Sequence, residues 1–86
     1  MYKILIEKKP AKFLSRLNPK SYKIISNAIK KLSYLHEIKN LDIKLLKGKY
    51  KNMIRLRVGS RRVLFTINDA KKEIKIWLIN DRRDIY

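Results

Sequence analysis

The chain has 86 residues, 23 lysines and arginines against 7 aspartates and glutamates, a net charge of +16 and 45% hydrophobic residues. That length admits one domain with a modest core, and the hydrophobic share argues for a folded chain rather than a histone-like tail. The absence of cysteine excludes disulfides, zinc–thiolate sites and thiol nucleophiles, while the single histidine, His36, cannot make a histidine metal cluster or a His-pair acid–base system alone.

Tyr2 to Glu7 is a short apolar strand candidate, too brief for a membrane span or a signal-peptide core, so a soluble, unexported chain is expected. Pro10 opens a brief helical stretch with Phe13, Leu14 and Leu17 on one face. Asn18-Pro19 restarts the helix, with Asn as N-cap and Pro in the first helical position. Tyr22, Ile25, Ile29, Leu32 and Leu35 then recur at helical spacing, predicting an amphipathic helix that ends near His36.

A loop is expected around Glu37 to Lys44, after which the apolar period falls to two. Met53 to Val58 reads as a strand, Gly59-Ser60 as a tight turn, and Arg61 to Ile67 as the returning strand. Asn68 to Lys72 turns again and Glu73 to Ile79 gives a third strand of this meander. No repeat, low-complexity tract or linker interrupts the chain, so residues 1–86 are read as one α+β unit: two N-terminal helices on one face of an antiparallel sheet, in the order β-α-α-β-β-β.

In this layout residues 54, 56 and 58, residues 63, 65 and 67, and residues 74, 76 and 78 face the helices. Arg55, Arg57 and Arg62 then share the uncovered face, flanked by Lys47, Lys49 and Lys51, and no acid lies between Asp42 and Asp69. Cations aligned without counter-charge point to a polyanion, nucleic acid first, because guanidinium groups meet phosphates through paired N–H donors. A membrane surface would require a basic amphipathic helix with bulky anchors, and an acidic protein partner remains compatible with the charge. Trp77 alternates onto the arginine face with Lys75 and Ile79, either to stack a base or to fill an apolar patch under a partner helix. Gly48 reads as turn geometry, Tyr50 as a surface anchor or an RNA contact, and His36 as a helix C-terminal residue.

The segment LLKGKYKNMIRLRVGSRRVLFTI, followed by INDRRDIY, resembles the RelE/ParE toxin superfamily and within it the RelE-type messenger-RNA interferases. AKFLSRL and the long helix after it fit the family's two N-terminal helices, so the resemblance spans nearly the whole chain. It implies a RelE-like, microbial-ribonuclease-like fold with a twisted antiparallel sheet. It also implies a cytoplasmic toxin neutralised by a RelB-like antitoxin, in a toxin–antitoxin heterotetramer. The activity implied is that of a ribosome-dependent endoribonuclease, which cuts messenger RNA in the A site, against ribosomal RNA, by attack of a 2′-OH on the adjacent phosphate. Neither a metal nor another cofactor is implied.

Carried over by position, the resemblance makes Arg55 a basic catalytic strand residue and Arg62 the grip on the scissile phosphate. Arg82 and the closing Tyr86 complete the catalytic set, with Tyr86 as the leading candidate for general base. Lys47, Lys49, Lys51, Arg57, Arg61 and Arg83 are expected to bind RNA phosphates. Two positions depart from the family: Met53 stands where a second lysine can occur, and Asp81 where many relatives have histidine. Two alternatives stay open, a ParE-like toxin that binds DNA gyrase, and a catalytically inactive module that binds nucleic acid and antitoxin.

Overall fold

Local signals set the helices. The computed structural model describes residues 1–35, 37, 41–48 and 52–81. Strand β1 (Lys3–Ile6) leads directly into helix α1 (Lys8–Ser15). The helix starts ahead of Pro10, after Glu7 in extended backbone, and Pro10 sits in the first turn, where an N–H has no helical partner to lose. Helix α2 (Pro19–Lys31) begins as expected: Asn18 is extended, and its Oδ1 accepts the Ser21 N–H at 2.8 Å. A 3-10 turn, Leu32–Tyr34, extends it. Ile25, Ile29, Leu32 and Leu35 are buried, while Tyr22 at the start of the stripe is exposed.

Three further strands carry the meander: β3 (Ile54–Val58), β4 (Arg61–Asn68) and β5 (Glu73–Asp81). Gly59 at φ +61° and Ser60 join β3 to β4, with Val58 paired to Arg61. Glycine in the first central position is what a two-residue hairpin turn with positive φ there requires. The loop expected before β3 instead ends in another strand, β2 (Ile43–Leu45), antiparallel to β3 with Ile43 opposite Leu56. All three of its residues are exposed, so no burial alternation marked it in the sequence.

The sheet order is β1-β5-β4-β3-β2. It is mixed rather than wholly antiparallel: α1 and α2 carry the chain from β1 to β2 at the far edge, and the β2–β5 meander brings β5 back beside β1, parallel, with Lys3 opposite Glu73. Leu14, Ile25, Ile29, Leu32 and Leu35 pack against Leu56, Val63, Phe65, Ile74, Ile76 and Ile79 of the sheet. Tyr2 fastens the N-terminus: its N–H donates to the Ser33 carbonyl at 2.9 Å, and its hydroxyl donates to the Asp69 carboxylate in the β4–β5 turn. That carboxylate, by hydrogen bond first, then burial and its charge, holds the Tyr2 hydroxyl above its ordinary 10.0.

One irregularity rearranges β5. Phe65 faces Ile76 and Leu64 faces Leu78, so Trp77 is the extra residue of a β-bulge. Past that point the alternation flips. Ile79, expected on the arginine face, joins the core at 3% exposure, and Leu78, expected in the core row, stands opposite Leu64 on the other face.

Candidate nucleic-acid interface

The face away from the helices is built in cross-strand rows. Arg57 on β3 lies directly opposite Arg62 on β4, and Arg62 directly opposite Asn80 on β5. In the next row Lys44, Arg55, Leu64 and Leu78 follow one another from β2 to β5. The structure thus brings Arg55, Arg57 and Arg62 together, as their alternation predicted.

Their environments differ. Arg55 is buried at 8% exposure beside the fully buried Leu64, so this face is not an open plane. The expectation that it lacks counter-charge is also overturned. Asp42 Oδ1 accepts a hydrogen bond from Arg55 Nη2 at 3.1 Å, and Asp42 Oδ2 lies 3.8 Å from Arg57 Nε. The Asp42 carbonyl accepts the Arg57 backbone N–H at 2.9 Å, which fixes the residue from its main chain as well. One carboxylate therefore serves two arginines, and Arg57 directly opposite Arg62 sets two guanidinium groups at one place, where an anion could meet both.

Asn80 is the site residue that reading the sequence missed. Its Oδ1 is buried and accepts no hydrogen bond among the described residues. Strict alternation from Ile74 and Ile76 would put Asn80 on the helix side, and only the bulge turns it to Arg62. Its amide brings a donor and an acceptor to a row of cations.

The other expected residues are dispersed. Arg61 shares the helix-side alternation with Val63 and pairs with Asp81 at 3.3 Å, which gives the Asp81 departure a structural partner. Lys47 is exposed after β2, and Met53 is half-buried, its carbonyl accepting the Leu46 N–H at 2.9 Å. His36, Lys49, Tyr50, Lys51, Arg82, Arg83 and Tyr86 lie outside the described residues.

Two cavities flank the row. One, about 200 Å³, lies on the same face and is lined by Thr66, Asn68, Lys71, Glu73, Lys75 and Trp77. A larger one of about 410 Å³ contains none of the row arginines and runs between α1 and β5, past Lys9, Lys12, Phe13, Arg16, Leu78 and Ile79. Consecutive strand residues point to opposite faces, so a groove touched by both Leu78 and Ile79 follows the strand's edge. Among the described residues no helix is long and apolar enough to cross a membrane.

No family model and no curated protein matches the sequence. Solved structures do match. A chain of the archaeal RelE–RelB complex from Pyrococcus horikoshii OT3 is 28% identical with a TM-score of 0.78, over 94% of each chain. A chain of the RelB–RelE antitoxin–toxin complex from Methanococcus jannaschii is 29% identical with a TM-score of 0.72, over 95% of this chain and 94% of that one. A chain of the RelBE2 toxin–antitoxin complex from Mycobacterium tuberculosis shares the fold at 17% identity and a TM-score of 0.78, over 94% and 98% of the two chains.

Proposed function

Taking as premise a chain with the fold of a RelE-type toxin along nearly its whole length, we propose that it is the toxin of a toxin–antitoxin pair and cleaves messenger RNA in the ribosomal A site. The observation that carries this reading is the row Arg57–Arg62–Asn80, which sets two guanidinium groups and an amide side by side on the face away from the helices. A phosphodiester laid across it meets cations where negative charge grows during attack.

The bonds exchanged at phosphorus are both within the RNA. The 2′-oxygen loses its proton to a base and forms a bond to phosphorus, the bond from phosphorus to the 5′-oxygen breaks, and that oxygen takes a proton from an acid or water, leaving a 2′,3′-cyclic phosphate and a 5′-hydroxyl. Arg62 neutralises the non-bridging oxygens, Arg57 holds the neighbouring phosphate, and Asn80 orients the ribose. Arg55, buried and engaged by Asp42, shapes the row rather than touching the substrate. Tyr86 as proton acceptor and Arg82 as its electrostatic partner follow from the resemblance alone. The row Arg57–Arg62–Asn80 offers cations and an amide but no general base, which suits a toxin that depends on the ribosome to align its substrate and so acts in the cytoplasm.

The partner is a RelB-like antitoxin, since the chains it resembles were solved with theirs. The groove between α1 and β5 fits an acidic, amphipathic segment of it, with Lys9, Lys12 and Arg16 around Pro10, Phe13, Leu78 and Ile79. Primer extension on messenger RNA in a translating extract tests the activity, using wild type, Arg62→Ala and Arg62→Lys. The expected result is A-site cuts that are lost with alanine and partly kept with lysine, both variants melting cooperatively. Toxicity with intact message would replace this reading by the gyrase-binding one, and absence of both effects by an inactive binding module.

A further inference from the structure

Trp77 is an expensive residue to leave on a surface. It is 36% exposed, yet its orientation is fixed twice. The indole Nε1–H donates to Thr66 Oγ1 at 2.8 Å, and Lys75 Nζ stands 4.9 Å from the ring centroid. The hydrogen bond to Thr66 brings it onto the face of Arg62 and Leu64, and the bulge is the local device that frees it from the ladder. A side chain filling a core would not need a cation on its ring and a cavity beside it.

The cavity suits a nucleobase better than a bare phosphate. Lys71 and Lys75 supply cations, but Glu73 adds a carboxylate to the same wall, which repels a phosphate and accepts N–H groups from a base edge. Thr66 and Asn68 add short polar groups. Thr66 lies four positions along β4 from Arg62, about 13 Å at strand rise, within reach of one short single strand.

We propose that Trp77 is a base-stacking subsite for single-stranded RNA, engaging a nucleotide that flanks the phosphate held by the Arg57–Arg62–Asn80 row. The inference rests on the RNA-cleaving reading and deepens it: the row grips the backbone, and Trp77 sets the register of the strand along it. Stacking of this kind carries roughly 5- to 150-fold in affinity per base.

Trp77 is the chain's single tryptophan, so its fluorescence reports the subsite directly. The probe is a 2′-O-methyl RNA hexamer of mixed sequence, which lacks the attacking hydroxyl, together with six versions carrying one abasic position each. Binding is followed both by Trp77 emission and by anisotropy of a 5′-fluorescein. The expected result is saturable quenching that one abasic position abolishes, with a loss of affinity inside the range above. Trp77→Ala should match that loss, Trp77→Phe should restore part of it, and Arg62→Ala should weaken every hexamer alike. The abasic series uses the wild-type chain, so it decides the matter even if Trp77→Ala fails to fold. Binding that depends on Arg62 but leaves emission unchanged at every abasic position overturns the subsite and spares the interface. Binding indifferent to Arg62, or none at all, overturns the RNA reading and the subsite with it.

Discussion

Asp42→Asn isolates the carboxylate that, among the described residues, pairs with both Arg55 and Arg57. The substitution keeps shape and backbone, including the Asp42 carbonyl that accepts the Arg57 N–H, and removes only the charge. Two effects add. Arg55, with a side chain 10% exposed, loses its ionic partner at 3.1 Å, and Arg57 at 3.8 Å loses part of its relief from Arg62. A pair at such distances is worth about 1 kcal/mol in water and about 4 kcal/mol near a protein surface of low polarity. Asp42 is 53% exposed, so solvent screening and the ordering of long side chains bring the net loss to about 1–2 kcal/mol. For a domain of this size that is a fall in melting temperature of roughly 5–15 °C.

Thermal denaturation at low salt and at about 1 M salt separates the two effects, because the Debye length shrinks to about 3 Å at the higher concentration. The exposed Arg57 share should vanish there and the buried Arg55 share persist. Affinity for the 2′-O-methyl hexamer should rise a few-fold at low salt, since the row gains one positive charge. A variant that melts with wild type at both salt concentrations and binds RNA no better would refute Asp42 as the clamp.

Tyr2→Phe and Asn18→Ala probe the supports. Asp69 raises the Tyr2 hydroxyl above 10.0, so the folded state holds that proton more tightly than the unfolded one. The stabilisation is therefore complete below about pH 10 and lost as pH rises through the folded value. Urea midpoints of wild type and Tyr2→Phe should differ by a constant amount up to that pH and converge above it; a gap that widens there would contradict the assignment. Asn18→Ala removes the acceptor for the Ser21 N–H and should cost about 1 kcal/mol, roughly 4–8 °C in melting temperature, with RNA binding unchanged.

The parts of the fold visible in the sequence are those whose causes are local. Asn18-Pro19 and the stripe from Ile25 to Leu35 define α2 within a few turns of chain, and Gly59 supplies the positive φ of the β3–β4 turn. What escaped depends on pairing between distant segments. The bulge at Trp77 is a relation between β5 and β4, and period-two counting along β5 alone gives the wrong face for Leu78, Ile79 and Asn80. Asp42 looked like the border of an acid-free span, and its service to Arg55 and Arg57 appears only when β2 is laid beside β3. Arg55, Arg57 and Arg62 are legible because their alternation precedes any bulge, whereas the phosphate-binding role expected of Arg61 meets a strand geometry that sends it to the opposite side, beside Asp81.

The parallel pairing of β1 with β5 also bears on the order in which the fold is completed as the chain is made. Lys3 to Ile6 are made some seventy residues before their partners, Glu73 to Ile76. Such a long loop closes at an entropic cost that local helix formation does not repay, so α1 and α2 can form while β1 still waits. Asn80, the third member of the arginine row, comes later still, beyond the bulge. A nascent copy of the chain thus carries helices and scattered cations but no assembled row. On the RNA-cleaving reading, the row is therefore completed only once β5 has paired with β4 across its bulge.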